Sequence, residues 1–214
     1  MDALRISPQY TSLDWQGLNA HNPKDWLKAA DVVRDRLDGR FLRFASNWLS
    51  DKYSGFVVLA IDSLLAETIQ QFVDGVTDGH GRSKQRVMRF LEGMRFQPDF
   101  DVNAREAFYV DIRCGLLHQA EAKRMWLIRR KQAALLQKVA HGEGYIIDVE
   151  RFHAGLQASL NDYVRLVSKP ANSLLRSNLW KKMDQICSVR AARGALYEAE
   201  GDSAPTQSPP NNRL

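Results

Sequence analysis

The segment from Ser54 to Gly75 is the most hydrophobic part of the 214-residue chain, and it constrains the fold more than any other feature. Drawn as an α-helix, it carries apolar side chains around most of its circumference, which is typical of a helix buried inside a protein. Its longest apolar run, from Gly55 through Leu65, is interrupted by Asp62 and Ser63 and is far short of a membrane span. We therefore predict a central, nearly buried helix in a domain that does not enter a membrane.

Segments with a helical repeat of apolar residues lie on both sides of this one, so the sequence predicts a mainly α fold. Asn22 and Pro23 form a helix start, with Asn22 as the N-cap and Pro23 at the first helical position. Gly39 marks the point where this helix is expected to kink or split. Further helices are expected to begin at Ser83, at Asn103, at Asp148 and at Asn172 or Ser173.

A short region in the second half of the chain has the composition of β-strands. Residues 124–130 and 144–148 are β-like, whereas Ala133–Ala140 fits either a strand or a helical turn. We predict a small β-hairpin within residues 124–148, closed by the glycine-rich turn at 141–144. Residues 1–21 are then an N-terminal arm, residues 22–197 the helical domain, and the Pro-, Ser- and Asn-rich residues 198–214 a disordered tail.

Cysteine content and charge narrow the classes of function. Cys114 and Cys187 are too few for a disulfide framework, so we expect two reduced thiols in a cytoplasmic protein. No Cys and His pair has the spacing of zinc ligands, and we expect neither a metal ion nor a cofactor. The net charge of +5 and the pI of 9.3 permit binding to nucleic acid without requiring it.

The mostly apolar run from Phe108 to Gln119 carries Arg113 and, five residues later, His118. A buried arginine requires a partner, and Glu67 in the central helix is the natural candidate. Arg113 can grip a phosphate through its planar fork of donors, and His118 can move a proton near neutral pH. Metal-free RNA cleavage needs both groups, because a base must take the ribose 2′-OH proton and a cation must stabilise charge at phosphorus. The bare spacing also fits a structural interpretation, in which Arg113 is salt-bridged and His118 lies at the surface or caps a helix.

The segment before this run is strongly basic, and its cations are Arg82, Lys84, Arg86 and Arg89. It fits either the solvated face of a helix or a rim that follows the phosphates of RNA. The remaining histidines have no partner at an informative spacing, and we predict no function for them; they are His21, His80, His141 and His153.

The run that holds Arg113 and His118 resembles the signature helix of the HEPN superfamily (higher eukaryotes and prokaryotes nucleotide-binding). The hallmark of that family is R-x4-6-H near the end of a core helix. The resemblance covers about residues 55–169. It implies an HEPN-like helical bundle that works as a homodimer, with the motifs of two protomers facing each other in a composite site. Arg113 would then bind and polarise the scissile phosphate, His118 would be the general base or acid, and Glu67 an orienting carboxylate. Active relatives often carry Asn or Asp directly after the motif arginine, where this chain has Cys114.

Three hypotheses for function follow from this resemblance. The first is a metal-independent endoribonuclease, a toxin or phage-defence effector that cuts RNA and is restrained by an antitoxin or another regulatory partner. The second is a catalytically inactive HEPN module that holds RNA or a nucleotide. The third is a dimeric interaction protein in which the motif only ties helices together at the interface.

Overall fold

The computed structural model describes residues 3–77, 81–140 and 144–201, with side chains to residue 188, and shows a mainly α-helical domain with a small β-sheet. The predicted fold class, mainly α with a small β insertion, is confirmed. The helices are α1 (Ser12–Gln16), α2 (Asp25–Leu37), α3 (Arg43–Trp48), α4 (Gly55–Asp74), α5 (Ser83–Leu91), α6 (Val102–Ala107), α7 (Cys114–Gln119), α8 (Val149–Val167) and α9 (Ser173–Gly201). The strands are β1 (Leu127–Arg129), β2 (Leu136–Lys138) and β3 (Tyr145–Asp148). Two π-helical turns join helices end to end: Asp38–Leu42 joins α2 to α3, and Phe108–Arg113 joins α6 to α7.

Helix α4 is the centre of the bundle and packs against α5, α8 and α9. Among the described residues it is the one helix long and apolar enough to cross a membrane, but 56% of its most apolar stretch is buried inside the protein. Its polar residues Asp62, Glu67 and Gln70 are buried and hydrogen-bonded within the domain. This is the burial of a core helix, and the predicted central helix is confirmed.

The first long helix is widened at Gly39 rather than split. Gly39 lies in the first π-helical turn, and a Cβ atom there would come within 2.8 Å of Pro8 Cγ. Glycine is required because the N-terminal arm crosses directly over the helix at this point. The arm is also fixed to the core by Trp15, which is buried and donates from Nε1 to Asp184 Oδ1 at 2.7 Å.

Two of the predicted N-caps are wrong by two residues. Asn22 accepts from the Lys24 N–H in a turn at 3.1 Å, and α2 begins at Asp25 without a side-chain cap. Helix α6 is capped by Asp101, which accepts from the Ala104 N–H at 2.8 Å, and not by Asn103. In both places several polar residues follow one another, and the spacing alone does not select the one that caps.

Asp148 caps α8 as predicted, and its side chain accepts from the Arg151 N–H at 2.8 Å. Helix α9 begins at Ser173, as predicted, and continues to Gly201, beyond the domain boundary predicted at residue 197. The rest of the predicted tail, residues 202–214, lies outside the described residues, as do His80 and His141.

The small sheet has three strands in the order β1-β3-β2. The predicted hairpin is present as the antiparallel pair of β2 and β3, with Gln137 opposite Ile146, although residues 141–143 of its predicted turn lie outside the described residues. β1, whose partner the sequence did not assign, runs parallel to β3, with Ile128 opposite Ile147. Parallel neighbours need a long connection, and here that connection includes β2, within the segment that fitted either a strand or a helical turn.

Aromatic side chains hold the helix that contains Arg113 against the rest of the domain. Phe108 stacks on Phe152 of α8 with ring centroids 5.1 Å apart, and its edge meets Trp126 at 6.2 Å. Phe100 meets both Phe108 and Phe152 edge-on. The helix is therefore fixed between α8 and the segment that leads into the sheet.

Candidate active site

Residues 102–119 form one continuous helical rod whose middle is the π-helical turn Phe108–Arg113. In this turn the Cys114 N–H donates to the Tyr109 carbonyl, five residues back instead of four. Such single π turns inside α-helices occur frequently at functional sites. Arg113 is the last residue of the turn, and His118 follows in α7.

Arg113 pairs with Glu67, as the sequence predicts. Arg113 Nη2 donates to Glu67 Oε2 at 2.9 Å, and the Ser83 hydroxyl donates to the same oxygen at 2.6 Å. The two ion-paired side chains are 20% and 12% exposed, so one edge of the guanidinium still reaches the surface. Arg113 Nε is buried without a hydrogen-bond partner, and the Tyr109 ring lies 5.8 Å away. Arg113 is thus held by Glu67 with part of its guanidinium at the surface.

His118 lies exposed in the last turn of the rod, and no hydrogen bond or ion pair joins its side chain to another described residue. The chain reverses directly after it, because Ala120 takes the left-handed conformation with φ of 55°. Gly115 permits this reversal, since a Cβ there would lie 2.4 Å from the Glu121 carbonyl oxygen. The structure therefore joins Arg113 to Glu67 and leaves His118 free in solvent on the same rod.

The predicted basic rim divides into exposed and buried members. Arg82 is exposed, and Arg89 is exposed while bonding Asp74 at 3.1 Å. Lys84 is exposed and ion-paired with Glu106. Arg86 is only 5% exposed, so its expected place on a surface rim is wrong. It lies on the inward side of the amphipathic helix α5, one position before Val87.

A cavity of about 420 Å³ beside the rod contains a group that sequence reasoning missed, Asp111. Asp111 is 1% exposed, and its Oδ2 accepts from Trp126 Nε1 at 3.2 Å. Its Oδ1 is buried without a hydrogen-bond partner, 3.5 Å from Arg124 Nε. Burial raises the pKa of this carboxyl, while Arg124, Trp126 and Lys123 act in the opposite direction. The sequence signal was available, because Asp111 lies in the same apolar run as Arg113.

His153, for which the sequence offered no partner at an informative spacing, has two partners that are distant along the chain. His153 is buried, its Nδ1 lies 2.9 Å from Asp62 Oδ1, and its Nε2 lies 2.8 Å from Ser46 Oγ. Burial raises the pKa of Asp62, and the hydrogen bond from His153 opposes that shift. Ser46 also accepts from Gln157 at 2.8 Å and donates its hydroxyl proton to the Leu42 carbonyl at 2.9 Å.

The hydrogen-bonded network of Asp62, His153 and Ser46 has the residue types of a nucleophilic triad, but the hydrogen bond between the histidine and the serine runs in the other direction. Ser46 has a single proton, and its donation to a helix carbonyl makes Nε2 of His153 the donor to Ser46. A serine nucleophile requires the opposite direction, with the histidine accepting. We therefore interpret these three residues as a buried network that ties α3, α4 and α8 together.

Among the described residues, no group of three His, Cys, Asp or Glu side chains is placed to hold a metal ion. Comparisons with protein-family models, with curated proteins and with solved structures found no match. The resemblance to HEPN domains therefore rests on the residues of the rod and on their surroundings.

Proposed function

We propose that the protein is a metal-independent endoribonuclease of HEPN type that works as a homodimer. The observation that carries the proposal concerns the two motif residues on one rod. Arg113 is held by Glu67 and is partly exposed, and His118, farther along the same rod after the π turn, is exposed. Glu67 orients the guanidinium, Ser83 donates to Glu67, and the 20% of the Arg113 side chain that is exposed is where a phosphate would bind.

The chemistry assigns a separate task to each side chain. Neutral His118 takes the proton from a ribose 2′-OH, and the 2′-oxygen attacks the adjacent phosphorus. The bond from phosphorus to the 5′-oxygen then breaks, which leaves a 2′,3′-cyclic phosphate and a 5′-OH. The departing 5′-oxygen takes a proton from a second, protonated histidine. Arg113 stabilises the extra negative charge on the phosphoryl oxygens as the attack proceeds.

A second protomer supplies that second histidine and covers an apolar surface beside the site. Phe56, Val57 and Leu64 on α4 and Leu117 on α7 are between 38% and 42% exposed. Helices α4 and α7 are in contact with each other, and both carry exposed apolar side chains. A two-fold interface places the same patch on both protomers, and the two rods then face each other across it.

Cleavage of total RNA by the purified protein in EDTA is the direct test. Cleavage that survives EDTA and is lost in both Arg113→Ala and His118→Ala supports the enzyme, and products ending in a 2′,3′-cyclic phosphate identify the mechanism. His21→Ala is the matched control, because His21 is also exposed but lies far along the chain. Undiminished cleavage in either the Arg113 or the His118 variant overturns the assignment.

Mixing the wild type with the inactive His118→Ala variant tests the composite site. Because the proposed site uses His118 of both protomers, a heterodimer retains one histidine and is expected to be inactive, so excess His118→Ala lowers the activity of the wild type more than dilution does. If each protomer cleaves RNA on its own, the added variant leaves the wild-type activity unchanged. Sedimentation of the wild type and of Leu64→Glu supplies the dimer measurement, since a charge on the apolar face separates the protomers.

The Glu67–Arg113 ion pair favours a second candidate, a catalytically inactive module that holds RNA or ties two protomers together. A paired arginine followed by Cys114 fits such a role. Salt-dependent RNA binding without cleavage identifies the RNA-holding form. Loss of stability in Arg113→Ala without any RNA phenotype identifies the interaction protein. Growth arrest on expression, relieved by a co-expressed antitoxin, tests the proposed role as a toxin or phage-defence effector.

A further inference from the structure

The cavity beside Asp111 is separate from the exposed side of Arg113 and His118. It lies between the start of the rod and the beginning of β3 and has a volume of about 420 Å³, within the range of small-molecule sites. One wall comes from helix residues, and the other comes from the segment before β1 and from β3. Its lining includes Asn103, Glu106, Asp111, Arg124, Trp126 and Tyr145.

Asp111 determines the chemistry of this cavity. One carboxylate oxygen is satisfied by Trp126 Nε1, and the other has no hydrogen-bond donor in the described structure. Arg124 Nε approaches that oxygen to 3.5 Å without the geometry of a hydrogen bond, and the Arg124 side chain is 58% exposed. A buried acceptor without a donor is unfavourable, so a ligand that brings N–H groups to Oδ1 gains that free energy on binding. Entry requires the exposed Arg124 side chain to move aside.

The other lining groups favour a ligand that has a flat ring and, attached to it, an anionic group. Trp126 and Tyr145 form an aromatic wall with ring centroids 4.9 Å apart. Arg124 and Lys138 are exposed cations at the cavity, positioned to meet an anionic group. An aromatic wall, a carboxylate and two cations match a nucleotide, with its base inside and its phosphate outside.

The identity of the base follows from the donors that a carboxylate needs. Guanine presents two adjacent donors, N1–H and the 2-amino group, and therefore suits a carboxylate edge-on. Adenine presents the N1 acceptor beside its amino group, and cytosine and uracil each offer an acceptor next to their single donor position. These bases would each place an acceptor against Asp111. Each carboxylate oxygen can accept two hydrogen bonds, so Oδ2 can accept from guanine beside Trp126 Nε1 while Oδ1 accepts from the adjacent donor. Only guanine presents two adjacent donors without placing an acceptor against the carboxylate.

We propose that the Asp111 cavity binds a guanine base and selects guanosine in the RNA bound by the protein. Guanine binding itself stands on the cavity alone, whereas its use in choosing the cleavage position rests on the proposed ribonuclease function. The phosphate attached to the selected nucleotide lies at Arg124 and Lys138.

Titration of the full-length protein with nucleoside 5′-monophosphates, followed by calorimetry or by Trp fluorescence, tests the cavity. Guanosine monophosphate is expected to bind at least about tenfold more tightly than the inosine form, which lacks the 2-amino group, and tighter still than the adenosine form. Asp111→Asn is expected to remove this preference, because the amide offers a donor where guanine offers one. Asp99→Asn, which changes an exposed carboxylate outside the cavity lining, is the matched control and retains the preference.

Equal affinity for the guanosine and adenosine forms, unchanged preference in Asp111→Asn, or no binding at millimolar guanosine monophosphate each overturns the proposal. Thermal unfolding of Asp111→Asn in the same buffer shows whether that variant is folded. If Asp111→Asn does not fold, Lys138→Ala is measured in its place. That variant is expected to bind guanosine monophosphate more weakly and guanosine with unchanged affinity. Unchanged affinity for both in that variant also overturns the proposal.

The two proposals fail in different ways. Selective guanosine monophosphate binding without any RNA cleavage removes the ribonuclease and leaves the cavity assignment intact. Arg113→Ala is expected to keep the selective binding while losing cleavage. Cleavage of oligonucleotides that proceeds equally at guanosine, inosine and adenosine removes the role of the cavity in choosing the cleavage position and leaves the ribonuclease intact.

Discussion

The Glu67–Arg113 ion pair is expected to stabilise the fold measurably, and a double-mutant cycle gives its magnitude. Glu67 Oε2 accepts from Arg113 and Ser83, and Oε1 accepts from Gln71 at 3.5 Å, so Glu67→Ala removes three hydrogen bonds and leaves a guanidinium whose Nε already lacks a partner. Removing one member of a buried pair costs about 3–5 kcal/mol. The side chains here are 12% and 20% exposed, so water reaches the remaining charge in part. We expect about 3 kcal/mol for each single substitution, at the low end of that range.

The coupling between the two substitutions is the informative quantity. Arg113→Ala leaves Glu67 with hydrogen bonds from Ser83 and Gln71 but without a cation, whereas the double variant contains neither charge. The double variant is therefore expected to lose less stability than the sum of the single ones, with a coupling free energy of about 1.5–3 kcal/mol.

Urea unfolding followed by circular dichroism measures all four proteins. The matched control is Arg89 with Asp74, an ion pair 3.1 Å long whose arginine side chain is 62% exposed. Its coupling is expected to stay below about 1 kcal/mol. Additive losses at Glu67 and Arg113, within about 0.5 kcal/mol, would refute the argument that Glu67 holds Arg113 in place.

Three further substitutions test other parts of the structure. His153→Ala is expected to lower the free energy of unfolding by about 3 kcal/mol, because it leaves Asp62 buried without its partner. Ser46→Ala is expected to lower it by only about 1 kcal/mol, and equal losses in the two variants would contradict the network. Gly115→Ala is expected to lower the free energy of unfolding by about 1–3 kcal/mol, since its Cβ would lie 2.4 Å from the Glu121 carbonyl oxygen. Gly17→Ala is the milder control in thermal unfolding, because its Cβ would be 3.4 Å from the Leu13 carbonyl oxygen. Burial raises the folded-state pKa of Asp111 above its ordinary 3.8, so wild-type stability should fall relative to Asp111→Asn as pH rises from 3.8 through that raised pKa; a difference between the two that is independent of pH would contradict this.

The sequence was sufficient for features that depend on local pattern and on a single strong physical requirement. Helix α4 was predictable because a helix that is apolar on all sides has to be buried. The amphipathic helix α8 was predictable from its apolar spacing and from the cap at Asp148. The Glu67–Arg113 pair followed from the cost of burying charge, although 46 residues separate the two partners.

Features that depend on long-range placement were not accessible in the same way. Asp62 and His153 are 91 residues apart, and neither position shows by itself that the other lies next to it. The parallel pairing of β1 with β3 was not predicted, because a local turn signal identifies only the two strands that it connects. The π turn at Phe108–Arg113 has no apolar signature, since it changes hydrogen-bond partners rather than the residues that face the core.

Asp111 and Arg113 show how far one physical rule extends when it is applied consistently. Both lie in the same apolar run, and two positions along a helix place their side chains on nearly opposite faces. Arg113 faces α4, where Glu67 compensates its charge. Asp111 faces Trp126 and the cavity, where one of its oxygens has no hydrogen-bond donor among the described residues. The rule that predicted Glu67 as the partner of the arginine therefore also requires a partner for the aspartate. In the described part of the chain Trp126 donates to one oxygen and Arg124 lies 3.5 Å from the other, which is the oxygen that the proposed guanine would bind.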